Sequence, residues 1–175
     1  MATHTSQIVP PFNFSSARRL SPIERMRVCV DGVRERLTAK GLWDLFGVPP
    51  VPATGAAEDE LQRLEVDLGV ALPAEYRTFL ARWRYLEIED GRRVWGFGHE
   101  GVSIGSPWVS DDHRPGVRYL VFADYWAFAD GDQLLFEVGA DTQSVVAYLH
   151  EHGPLYEEYA PSFSLALWRM VHEPV

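Results

Sequence analysis

The stretch 61–83, LQRLEVDLGVALPAEYRTFLARW, limits what this chain can fold into more than any other part of it. Leu61, Leu64 and Leu68 recur at steps of three and four, which is one apolar stripe on a short helix. Gly69 ends that helix, because glycine alone takes the left-handed cap conformation without a steric penalty. After Val70-Ala71-Leu72, Pro73 presets the first turn of a second helix, where its missing N–H costs nothing. Tyr76, Phe79, Leu80 and Trp83 then bury one face of it at helical spacing. The spacing predicts a helix–turn–helix corner against which the rest of the chain packs.

Upstream, residues 1–20 are polar, carry Pro10-Pro11 and show no period, so a loosely ordered or draped segment is expected. Ser21-Pro22-Ile23-Glu24 is a capping box with proline at the first helical position. The helix it opens places Ile23, Met26, Val30, Val33 and Leu37 on one stripe and closes near Gly41. A proline-rich linker ending near residue 57 follows, and Glu58-Asp59-Glu60 complements the positive end of the next helix. From Gly91 the period shifts toward two. Strands are predicted at 93–97, 101–104, 119–123, 133–138 and 144–149, joined by turns such as Ala129-Asp130-Gly131-Asp132. Pro161-Ser162 opens a last helix with Phe163, Leu167, Met170 and Val171 on one side. Helices, then strands, then a helix define an α+β class, divided as 1–20, 21–57 and 58–175.

The order Leu64-Glu65, Leu68-Gly69, Leu72-Pro73, Tyr76, Phe79-Leu80 resembles the signature of the SUKH superfamily (Smi/Knr-type proteins), and the likeness runs from about Glu58 to the C-terminus. It departs after Trp83, where that family carries an Asn-Gly-Gly-like turn and this chain has Arg84 to Gly91. The resemblance implies an antiparallel or mixed sheet of about five or six strands flanked by helices, here with an extra N-terminal amphipathic helix. For bacterial members it also implies immunity, the neutralising of a partner toxin, often a nuclease, by direct contact. Other members are regulatory scaffolds, including regulators of cell-wall synthesis, which is the alternative function.

Charge narrows the partners. The chain carries a net −9, but residues 1–57 hold seven basic and four acidic side chains, whereas 58–175 hold nine and twenty-one. Between 119 and 168 there are eight carboxylates and no lysine or arginine. Such a field repels nucleic acid and steers a basic partner inward. No apolar run is long enough to cross a bilayer, and no secretory pattern opens the chain. The single cysteine, Cys29, lies on the apolar helix stripe and reads as a core residue; it excludes an internal disulfide and fits a cytoplasmic setting.

Chemistry is sparse. Gly101-Val102-Ser103-Ile104-Gly105 fits G-x-S-x-G, but nothing helical follows, so a serine hydrolase built on Ser103 is the remote alternative. His150, His152 and Asp111-Asp112-His113 lack a second ligand pair at metal spacing, and no cofactor fingerprint is present. Glu157-Glu158 reads as an exposed loop. Binding is the better reading, because the acidic span interleaves aromatic rings, the usual material of a protein interface. The expected contact residues are Trp108, Asp111, Asp112, Trp126, Asp130, Asp132, Glu151, Tyr156, Glu157 and Glu158, with Tyr159 a further surface ring. The expected partner is a basic protein, a cognate toxin domain, and neither nucleic acid nor membrane.

Overall fold

A computed structural model of the protein describes residues 8–41, 52–97, 105–125, 131–151 and 155–174. Its first helix, α1 (Pro22–Ala39), starts at the expected capping box: Ser21 accepts from the Glu24 amide, and the Glu24 carboxylate accepts from the Ser21 amide. Met26, Cys29, Val30, Val33 and Leu37 are buried, and α1 packs along the last helix, α4 (Phe163–His172). Burial raises the Cys29 thiol to about 12, which keeps it protonated and inert. From Ile8 on, the preceding segment lies against the domain, with Val9 and Ala17 fully buried. Arg169, itself buried in α4, donates to the Pro10 carbonyl and to Glu173, and its guanidinium stands over the Tyr159 and Phe12 rings.

The corner forms as its spacing requires. Helix α2 (Glu58–Leu68) ends on Gly69 at φ +67°, and α3 (Ala74–Trp83) follows with Pro73 as its cap, one position before the predicted first turn. Glu65 holds the two helices together, accepting from the Leu72 amide at 2.9 Å and from Arg77 Nε at 3.5 Å. On α3, Tyr76, Phe79 and Leu80 are fully buried. Tyr76 meets Phe122, Phe136 and Phe163 at centroid distances of 5.3 to 6.0 Å, so one ring joins α3, two strands and α4.

Among the described residues the sheet has seven antiparallel strands: β1 (Leu86–Glu89), β2 (Arg92–Val94), β3 (Trp108–Arg114), β4 (Val117–Tyr125), β5 (Gln133–Glu137), β6 (Val145–Leu149) and β7 (Leu155–Ala160). The order is β1-β2-β4-β5-β6-β7, and β3 pairs with the first half of β4 while β2 pairs with its end. Three strands escaped the pattern reading. β1 is four residues long, β3 is polar and mostly exposed, and β7 is a strand where Glu157-Glu158 suggested a loop. β1 alternates but is too short for period to reveal it, and the edge strands β3 and β7 carry no apolar alternation. The predicted strand 101–104 lies outside the described residues. The departure after Trp83 resolves as a β1–β2 hairpin closed by Asp90 and Gly91, both at positive φ as a type I′ turn demands.

Two substitutions test this packing. At Gly96 a Cβ would stand 1.6 Å from the Arg84 carbonyl oxygen, so Gly96→Ala is expected to lower unfolding stability by at least about 2 kcal/mol. Gly32→Ala, in open space on α1, is expected to be neutral or stabilising in the same urea titration. Equal effects would refute the packing. Glu65→Ala is expected to cost about 1–2 kcal/mol by leaving the Leu72 amide unpaired.

Candidate partner-binding surface

Strand pleating divides the sheet into two unlike faces. One carries Leu120, Phe122, Leu134, Phe136, Val145 and Ala147 and packs on the helices in the main core. The other carries a separate cluster of Trp95, Tyr119, Val121 and Leu135, with Val117, Tyr148 and Tyr156 half-buried against it. Among the described residues no helical residue belongs to that second cluster.

Within it the rings are held in place. Trp95 is fixed twice: its carbonyl accepts from the Tyr76 hydroxyl at 2.6 Å, and its indole N–H donates to Asp124 at 3.0 Å. Trp108 stacks on it at 4.4 Å and 26°, leaving 38% of the residue exposed. Beside this pair, Tyr119 stacks on Tyr156 at 5.5 Å, and His113 stands edge-on to Tyr148 at 4.5 Å. Arg114 reaches over the Tyr156 ring. Burial lowers the His113 pKa, against the opposing pull of Asp112, and burial among other tyrosines raises Tyr156 to about 12.

The pleat also sorts the carboxylates. Tyr156 and Glu158 are two apart on β7 and share the outer face, where Glu158 is exposed opposite Val146. Glu137, which sequence reasoning missed, is exposed directly opposite Tyr119. Asp112 is exposed on β3; Asp111, also exposed, is paired with Arg118 at 3.1 Å. Glu151 is exposed in the β6–β7 turn.

Other expected contacts fall elsewhere. Glu157 faces the helix side, where it accepts from the amides of Ile8 and Val9 at 3.0 and 2.7 Å. Asp132 is fully buried: one oxygen accepts from the His150 amide at 2.9 Å and lies 3.1 Å from its Nδ1, tying the end of β6 to the start of β5. It is therefore a structural carboxylate and cannot touch a partner. Tyr159 is also buried, its hydroxyl donating to Glu173, which corrects its reading as a surface ring. Trp126, Asp130 and Ser103 lie outside the described residues. Among the described residues no group of three or more His, Cys, Asp or Glu side chains could hold a metal ion, and no helix is long and apolar enough to cross a membrane.

The class is thus an α+β domain whose antiparallel sheet is backed by helices on one face and presents aromatic rings on the other. The chain belongs to the SMI1 / KNR4 family (SUKH-1), whose model matches residues 55–167. The match begins beyond α1, although α1 contributes to the same core as the matched part. No curated protein and no solved structure matches the chain.

The His113 contact carries a pH signature. A lowered folded-state pKa means the unfolded chain binds the proton more readily. His113 therefore contributes stability fully above its unfolded value of about 6.5, and that contribution is lost as pH falls below it. Chemical denaturation between pH 7.5 and 5.5 is expected to show a larger loss for the native chain than for His113→Phe. Parallel losses would contradict the packing of a neutral imidazole on the tyrosines.

Proposed function

We propose that this protein is a non-enzymatic binding domain of the immunity type, which neutralises a cognate toxin by one-to-one contact through the outer sheet face. The observation that carries the reading is the Trp95–Trp108 pair: a large ring, half-open to solvent and already immobilised, standing among half-buried tyrosines. Rigid aromatic anchors lose little entropy on binding and dominate interface energies. Glu137, Glu158 and Asp112 stand exposed around them without an ion-pair partner among the described residues. A nuclease toxin suits this frame, because it must present basic groups to its substrate's phosphates. Carboxylates aimed at those groups compete for the same surface and accelerate encounter. Membership of the SUKH-1 family supports a domain whose work is protein binding.

The test begins with a tagged copy co-purified with proteins of its own cell, followed by kinetics on the captured toxin. Glu137→Lys with Glu158→Lys is expected to slow association about tenfold at low salt and to flatten its salt dependence. Trp108→Ala is expected to raise the dissociation rate by about thirtyfold. Glu157→Gln is expected to leave association unchanged, since that carboxylate holds residues 8 and 9 on the opposite side. If neither rate responds to the first two changes, the assignment of this face is wrong.

A further inference from the structure

A groove of about 440 Å³ opens between the α2–α3 loop and the β5–β6 turn, where Gly69 and Pro73 of the family signature form part of its wall. Val70, Leu72, Leu120, Phe136 and Val138 are the large apolar residues of its lining. Over Gly69, Val70 and Ala71 it continues into a shallower depression that reaches Val66, a valine 77% exposed on α2. A valine that open, beside an apolar groove, marks surface that the chain itself leaves uncovered.

Two charged side chains line the groove, and they are not equivalent. Arg118 already donates its Nε–H to Asp111 at 3.1 Å. The Glu137 side chain is exposed and makes no hydrogen bond or ion pair among the described residues, and Arg114 on the outer face is the one arginine that feels its charge. The one charge lining the groove that no ion pair engages is therefore negative. A second copy of the chain, itself at net −9, would bring more negative charge to the groove, which disfavours self-association there.

We propose that the groove is a docking site for an apolar side chain that stands beside a lysine or arginine on the protein partner. This rests on the reading of a basic toxin given above and adds a second contact to it. Glu137 joins the two, since it lines the groove and also stands opposite Tyr119 on the outer face. One partner surface can therefore span both, with the base on Glu137 and the apolar knob below it. The groove, rather than the charge alone, would then select among basic proteins.

The test needs no toxin. Hexylammonium and hexanoate carry the same chain with opposite charge, and either can be titrated into the isotopically labelled full chain by NMR, with butylammonium as a short-chain control. Hexylammonium is expected to shift the amides of Val70, Ala71, Val138 and Gly139 saturably, with at least about threefold tighter binding than hexanoate. Glu137→Gln is expected to abolish that preference, and Ala71→Trp to abolish binding of both. Ala140→Trp fills the groove from the opposite wall should the first filling variant fail to fold. Equal or tighter binding of hexanoate, a preference that survives Glu137→Gln, or the absence of saturable shifts would each overturn the proposal. Sedimentation showing a dimer that the tryptophan variants dissolve would overturn it too, by assigning the groove to a second copy. A negative result leaves the Trp108 face untouched, and a failure of that face leaves the alkylammonium preference standing.

Discussion

The hydroxyl of Tyr76 donates to the Trp95 carbonyl at 2.6 Å, and both faces of the protein meet at that bond. Below it, the Tyr76 ring sits in the aromatic knot of Phe122, Phe136 and Phe163, which fixes the helical corner on the sheet. Above it, Trp95 is held for stacking against Trp108. Full burial of Tyr76 holds its phenol well above the ordinary pKa, so the donor stays protonated over any physiological pH. A buried hydrogen bond of this kind is worth about 1 kcal/mol net, yet leaving its carbonyl unpaired costs more. The corner thus does two things at once: it closes the core and it positions the surface.

Charge is distributed with similar economy. Several arginines are consumed inside the fold, where Arg84 binds Glu60 and Gly55, Arg92 reaches the Met170 carbonyl and Arg169 joins Glu173. Arg77 ties α3 to Glu58 and Glu65 of α2. On the outer face Arg93 is engaged with Glu87 at 2.5 Å. Among the described residues Asp112, Glu137 and Glu158 on the strands are left exposed without an ion pair. Arg114 lies over Tyr156 with a contact to the Tyr119 hydroxyl.

Much of this architecture is legible in the residues. Glycine and proline mark the ends of α2 and α3, and helical spacing identifies the buried sides of α1, α3 and α4, because burial and local propensity agree there. The site is less legible, for a geometric reason. Whether Glu157 or Glu158 points outward depends on the parity of β7, and the unpaired Tyr159, between the pairs Val145–Ala160 and Val146–Glu158, resets that parity. Nothing local to Tyr156-Glu157-Glu158-Tyr159 carries this information. Asp132 was misread for a related reason. Its turn residues resemble any solvated turn, and only the fold brings His150 back to it across the β5–β6 hairpin. The missed Glu137 had a usable signal, since it is the lone acid at the end of an apolar strand beside a glycine turn.

In the proposed reading the helices secure the sheet and its outer face serves recognition, with rigid rings at its centre and carboxylates around them. Hydroxyl-radical footprinting of the free protein and of its complex with the captured toxin tests this division most directly. The account predicts that Trp108, Tyr148 and Tyr156 oxidise readily in the free protein and are protected together in the complex, while Val28 on the exposed side of α1 keeps its reactivity. Protection of Val28 with unchanged oxidation of the three rings would place the partner on the helices and contradict it.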